Sequence, residues 1–208
     1  MKRYLAILSI LVISVASCVK DRVQPISTGV TTTGDRTLIH YWTFNNGGDS
    51  TTLSVPTTTL VAGAKINFSF FQNGYADTVM PGSPDNLWNG ATSGGALRVR
   101  NPYLSFVLHV PTTGYKNVQL RFGFEKSNKG PATNSISYTT DGVNYTTDGL
   151  SNTDLTITTS WQTTTIDFSS IAAANDNANF AIKFSNSIAD TSGGNDRYDN
   201  ISIHANTK

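Results

Sequence analysis

The sequence predicts an all-β fold, a two-sheet antiparallel β-sandwich of jelly-roll type. Three observations carry this. Helix formers are scarce: only Glu125 of the 14 acidic residues is a glutamate, and Leu and Ala thin out after the first segment. Thr, Val, Phe and Tyr, which suit a pleated surface, take their place. Short segments alternate apolar and polar residues with the period of two that marks half-buried strands. About eleven such segments follow one another, separated by Gly, Pro, Asn and Asp, with no fixed-period repeat; this is the spacing of a sandwich.

Met1–Ser17 has a basic start (Lys2, Arg3), an apolar run from Leu5 to Val15 and small residues before Cys18. The run is short of the ~20 residues of a comfortable membrane span and has the layout of a secretory leader. Val15-Ala16-Ser17-Cys18 closely resembles a bacterial lipobox, which implies cleavage before Cys18 and lipidation of that residue. Cys18 is the one cysteine of the chain, so no intrachain disulfide can form. Asp21 does not directly follow the cysteine, which points to the outer membrane of the envelope. Several acyl chains would anchor the protein stably.

Without Lys2 and Arg3 the 15 basic residues become 13, against 14 acidic, a net charge of −1. Such a chain has no basic field for a phosphate backbone, which argues against nucleic-acid binding. The expected organisation is a leader over 1–17, the acylated Cys18 with a flexible Thr- and Gly-rich tether over 18–37, and a single domain over 38–208.

The first strand, from Leu38 to Phe44, is apolar on both faces and reads as central; Asn45-Asn46-Gly47-Gly48-Asp49 ends it. Thr58–Ala62 and Lys65–Phe71 read as two more strands. Residues 72–95 break the pattern with five glycines and two prolines, a long connection of the kind that carries binding sites. Ala96–Phe124 then supplies three strands punctuated by Pro102 and Pro111. Leu104, Phe106, Leu108 and Val110 share one face, and Val118, Leu120, Phe122 and Phe124 share another, opposite Gln119, Arg121 and Gly123. Ser135–Thr139 and Val143–Thr147 flank Asp141-Gly142 as a hairpin. Leu155–Thr158, Trp161–Phe168, Phe180–Phe184 and Arg197–His204 complete the strands, with one helical turn over 169–175. Trp42 and Trp161 are expected in the core.

Several pieces occur in a recognisable order: Trp42-Thr43-Phe44-Asn45, Leu97-Arg98-Val99-Arg100-Asn101-Pro102, Pro111-Thr112-Thr113-Gly114-Tyr115-Lys116, Ser137 to Gly142, and Arg197-Tyr198-Asp199-Asn200-Ile201. Together they resemble secreted and surface-anchored β-sandwich modules common in Bacteroidota, over about residues 38–205. The resemblance implies a galactose-binding-like jelly roll without an established catalytic set. Modules of this kind often hold a structural calcium through a carboxylate on the last strand, which would here be Asp199, joined by Asn45, Asn46 or Asp49. Asp199 accepting backbone N–H groups, or pairing with Arg197, is the alternative.

Catalysis finds little support in the residues. A glycosidase needs two facing carboxyl groups, and Glu125 sits beside Lys126 and Lys129 as an ion-pair candidate. There is no nucleophile elbow, and His40, His109 and His204 lack zinc-site spacing. Sugar recognition fits better, because it uses an aromatic platform with a few polar groups. Trp88 stands in the polar run Pro84–Gly90, Tyr75 lies in the same connection, and Asp85, Asn86, Asn89 and Arg100 could bond hydroxyls. In the competing reading Trp88 and Leu87 plug the loop onto the sandwich. The expectation is a non-catalytic cell-surface module that recognises a glycan through residues 72–95, with Trp88 stacking on the sugar. The alternative is a structural or protein-interaction subunit of the envelope.

Overall fold

The computed structural model describes residues 32–33, 36–68, 76–100, 105–187 and 193–208. Thirteen strands among them form two wholly antiparallel sheets. Strands β1 (Thr32–Thr33), β2 (Arg36–Trp42), β3 (Thr58–Thr59), β5 (Ala76–Val79), β6 (Ala96–Arg100), β8 (Tyr115–Lys126), β11 (Gln162–Asp167) and β13 (Asn195–Thr207) make the first sheet. Strands β4 (Lys65–Asn67), β7 (Ser105–His109), β9 (Thr133–Thr139), β10 (Asp154–Thr156) and β12 (Ala181–Asn186) make the second. From β6 onward the chain changes sheet at every connection except β9 to β10, which interleaves the two layers. The predicted two-sheet sandwich is observed.

The alternating faces predicted for β7, β8 and β12 meet between the sheets. Phe106, Leu108, Leu120, Phe122, Ile182 and Phe184 are fully buried in one apolar cluster. Phe106 stacks on Phe184 at 4.6 Å, and Phe122 meets the same ring edge-on at 5.0 Å. Aromatic pairs of this geometry stabilise beyond their buried area. The stretch from β6 to β8 is therefore divided, with β7 in one sheet and its neighbours in the other.

Strand β13 is the spine of the first sheet. One edge pairs with β8 along most of its length, whereas the other pairs first with β6 and then with β2. Its register against β8 slips between Asp199 and Ser202, so that two residues oppose one. Asn200 occupies the left-handed region there (φ 50°), which Asn tolerates better than most residues. The slip explains a break in alternation. Tyr198, Ile201 and Ile203 all join the core, and only an inserted residue brings positions three apart to one face. Asp199 already faces the outer side by alternation from Tyr198, and the slip puts Asn200, Ser202 and His204 on that same side.

Four expectations are corrected. The 72–95 connection contains β5, paired with β6 from Ala76↔Val99 to Val79↔Ala96. The return arm of the Asp-Gly hairpin is not a strand. Asp141 accepts from the backbone N–H groups of Val143 and Asn144, which closes the turn locally; only a bridge from Tyr138 to Thr146 follows, and β10 pairs with β9 instead. A helix, α1 (Ser50–Ser54), follows the first turn, capped by Asp49. Trp42 is buried, but Trp161 is only half-buried and stands outside the core, because β11 begins after it. The helical turn over 169–175 is present as a 3₁₀ turn at Ala172–Ala174. No helix among the described residues is long and apolar enough to cross a membrane.

Candidate functional site

The outer face of β13 is covered by residues 82–88, held by a dense set of hydrogen bonds. Asp199 accepts from Ser83 N (2.7 Å) with one carboxylate oxygen and from Asn200 N (2.7 Å) with the other. Asn200 Nδ2 donates to Ser83 O (3.2 Å) and Asp85 O (2.9 Å), and its Oδ1 accepts from the Tyr41 hydroxyl (2.9 Å). Tyr41 in turn accepts from Trp88 N (3.2 Å). The loop sits close enough that position 123 beneath it has no room for a side chain. A Cβ on Gly123 would stand 2.7 Å from Ser83 Oγ, below any ordinary contact.

Asn86 is the hub of the loop. Its Nδ2 donates to Asn200 O (2.5 Å) and Ser202 Oγ (3.1 Å), and its Oδ1 accepts from the Trp88 indole N–H (2.8 Å). Its backbone is left-handed (φ 56°), another reason for Asn here. The Trp88 ring lies 4.5 Å from the His204 ring, and the Arg121 guanidinium stands 5.6 Å over it, within cation–π range. Trp88 is thus half-buried and docked on its own sheet.

Burial shapes the electrostatics of this face. Desolvation lowers His204 to about 4, helped by the nearby Arg121 and Arg36 charges, so the imidazole is neutral beneath Trp88. Desolvation raises Asp199 to about 8 in spite of its two backbone donors. Tyr41 is raised well above its usual range by the same cause. Removing water from a charged group is costly, and the hydrogen bonds here only partly offset it.

Between this loop and β11 lies a cleft of about 580 Å³, lined by Asp85, Asn86, Arg121, Asn152, Thr163, Thr164 and Thr165. The register pairs Thr165 with Arg121 and Thr163 with Gly123, so the exposed Thr163 and Thr165 share the outer face with Arg121. Arg121 makes no ion pair among the described residues. The lining offers hydroxyls, amides, one carboxylate and one guanidinium.

The structure groups some of the predicted residues here and separates others. Asp85, Asn86 and Trp88 come together; Asp85 is exposed at the cleft, whereas the Asn86 amide is engaged within the protein. Asn89 is exposed one position beyond Trp88, with a left-handed backbone (φ 53°). Arg100 turns to Asp77 (2.7 Å), which it shares with Arg98. Tyr75 and Cys18 lie outside the described residues. Of the proposed calcium ligands, Asn45 bridges Thr92 O and Gly95 N, Asp49 caps α1, and Asp199 holds Ser83 and Asn200. Each uses its oxygen on a backbone donor, and no group of three His, Cys, Asp or Glu residues suited to a metal occurs among the described residues. Arg197 pairs with Glu125 at 2.5 Å, so it does not serve Asp199. Arg121, Asn152, Thr163 and Thr165 were missed by the sequence reading. The polar alternation of β8 and β11 placed Arg121, Thr163 and Thr165 on an outer face, but nothing local indicated that the loop and Asn152 would converge on it.

No family model matches the chain, and no curated protein sequence does. Solved structures similar to it include the N-terminal cellulose-binding domain of Cellulomonas fimi β-1,4-glucanase C, at 19% identity over 57% of this chain and 83% of that one, with a TM-score of 0.37. The CBM22-1 xylan-binding domain from Paenibacillus barcinonensis Xyn10C is 11% identical over 83% and 97%, at 0.47. The K3 cleaved adhesin domain of Lys-gingipain from Porphyromonas gingivalis is 12% identical over 81% and 98%, at 0.44. These are similarities in the arrangement of strands.

Proposed function

We propose that this protein is a non-catalytic glycan-binding module, carried on the cell envelope by a lipid anchor at Cys18. The observation that carries the binding half is the cleft beside Trp88. Its lining of threonine hydroxyls, Asn152, Asp85 and Arg121 suits a ligand dense in hydroxyl groups, which can exchange its bonds to water for bonds to these side chains. An apolar ligand would strand them. Trp88 stands beside the cleft, bonded to the lining residue Asn86 and facing the Arg121 guanidinium, and is held in one orientation by Asn86 and Tyr41, so little ordering entropy is lost on binding.

The same lining argues against hydrolysis. Glycoside cleavage takes two carboxyl groups about 5–10 Å apart. Among the described residues Asp85 is the only carboxylate lining the cleft, and the sole glutamate of the sequence is bonded to Arg197. This lining supports binding without turnover.

Affinity electrophoresis through gels containing soluble polysaccharides tests the proposal. At least one polysaccharide should retard the wild-type protein, and Asn152→Ala, Arg121→Ala and Trp88→Ala should each weaken retardation by roughly tenfold or more, as expected for losing one well-placed contact. Absence of retardation on every polysaccharide, or retardation indifferent to all three substitutions, would remove the glycan reading. The anchor is tested separately: metabolic labelling with palmitate should mark the wild type and not Cys18→Ser.

A further inference from the structure

The cleft beside Trp88 carries one positive charge that the described residues leave uncompensated. Four of their five arginines are paired: Arg36 with Asp167, Arg98 and Arg100 with Asp77, and Arg197 with Glu125. Arg121 is the fifth, and no carboxylate among the described residues stands within ion-pair distance of it. Its guanidinium lies over the Trp88 ring, 5.6 Å from the centroid. A cation–π contact holds a guanidinium in place without neutralising it.

The carboxylates on this face do not serve it. Asp167 stands two residues beyond Thr165, which opposes Arg121 in the β8–β11 register. It is spent on Arg36 and on the backbone N–H of Ser169 (2.9 Å). Asp85 lines the cleft but is exposed on the loop, and water and salt screen a wetted charge. Arg121 is half-buried on the sheet, where less water intervenes and an opposite charge is worth more. A ligand anion on the sheet side of the cleft therefore gains more from Arg121 than it loses to Asp85.

We propose that the glycan taken by this cleft is acidic, a polysaccharide containing hexuronic acid, with Arg121 gripping a uronate carboxylate. The proposal rests on the glycan reading above and adds its substrate class. The planar guanidinium fork matches a carboxylate with two parallel N–H···O bonds, a geometry that lysine does not offer. Thr163, Thr165 and Asn152 take ring hydroxyls, which neutral and acidic sugars share, so the choice between them falls to Arg121. With 15 basic against 14 acidic residues, the chain has no general attraction to a polyanion. Selectivity for an acidic polymer has to come from the site.

Affinity electrophoresis with polygalacturonate, alginate and glucuronoxylan, each run beside its carboxyl-reduced form, tests the proposal. The wild type should bind at least one acidic polymer about tenfold or more tighter than its reduced form, the gain from one charge-assisted pair. Arg121→Gln should bring that ratio close to one. Arg121→Lys, which keeps the charge but not the fork, should fall between. Asp85→Asn should raise the ratio by about two- to fivefold, because a like charge leaves the lining. Each ratio compares two polymers on one variant, so a loss of folded protein cancels from it. Equal binding of the acidic and reduced forms, with retardation still sensitive to Trp88→Ala and Asn152→Ala, overturns this proposal and leaves the glycan reading standing. An acid preference that survives in Arg121→Gln also overturns it. Absence of retardation on every polymer removes both.

Discussion

His204 makes the outer face of β13 sensitive to acid, and replacing it with phenylalanine isolates the effect. The imidazole is buried beneath Trp88, with Nε2 bonded to Ser202 Oγ (3.1 Å) and Nδ1 without a partner among the described residues. Its pKa falls from 6.5 to about 4 on folding. A depressed folded pKa means that protons bind the unfolded chain first. The stabilisation is therefore complete above pH 6.5 and is lost as pH falls toward 4. At pH 5 the unfolded state is favoured by a binding ratio of about 30, or about 2 kcal/mol, against roughly 0.2 kcal/mol at pH 7. His204→Phe keeps the ring stacked on Trp88 and cannot titrate. Urea unfolding should show the variant gaining about 2 kcal/mol on wild type between pH 7 and pH 5. His40, buried on Thr59 and Pro111 with a pKa of about 4, has the same sign. Asp196 and Asp199, raised by burial to about 8, have the opposite sign and lose stability as pH rises. Comparing the two proteins at each pH cancels these shared contributions. A difference between variant and wild type that stays constant to within about 0.5 kcal/mol from pH 7 to pH 5 would refute the reasoning.

Three further outcomes are expected. Asn86→Ala leaves the Trp88 indole N–H and Asn200 O without their partner and puts alanine in a left-handed backbone. It should cost about 2–4 kcal/mol and shift tryptophan emission to the red as Trp88 becomes hydrated; unchanged emission and stability would deny Asn86 its role as hub. Gly123→Ala forces a methyl group against Ser83 Oγ and Cβ at 2.7 and 2.9 Å, which should lower stability by about 1–3 kcal/mol in denaturant titration, whereas Ser83→Gly in the same background should restore part of the loss. Glu125→Ala takes the carboxylate from the largely covered Arg197 guanidinium (25% exposed), which keeps its Nε contact to Asn195 Oδ1 (3.3 Å); a loss of about 1–3 kcal/mol, reduced from the fully buried case by that exposure and contact, should appear as a melting midpoint lower by roughly 2–12 °C.

Much of the scaffold was legible from residue spacing, and the departures have definite causes. The alternation in Val118, Leu120, Phe122 and Phe124 identified a strand and its buried face because that pattern is local. The step from Tyr198 to Ile201 broke the same alternation, and a slip at Asn200 restores it; an apolar spacing of three inside a strand was the available signal. The Asp141-Gly142 turn was recognised, but its return arm was not a strand, because Asp141 spends its carboxylate on the local turn. Trp88 was placed in a polar loop from sequence. That the loop folds back onto β13, with Asn86 consumed in holding it, depended on residues more than a hundred positions away.

The sequence by itself determined the class of fold, the strands of the core and the position of the aromatic loop, since each follows from the identity and order of neighbouring residues. Only the tertiary structure decided which sheet each strand joined and which polar side chains were left for a ligand. Tyr41 and Asn200 are 159 residues apart and share one hydrogen bond. Asp199 and Asp196 stand three residues apart on one strand, so the alternation turns them to opposite faces, and folding gives them opposite surroundings: one carboxylate accepts N–H donors and the other accepts none among the described residues. A side chain's hydrogen-bonding capacity is written in its chemistry; how much of it remains unspent is set by the partners that folding brings to it.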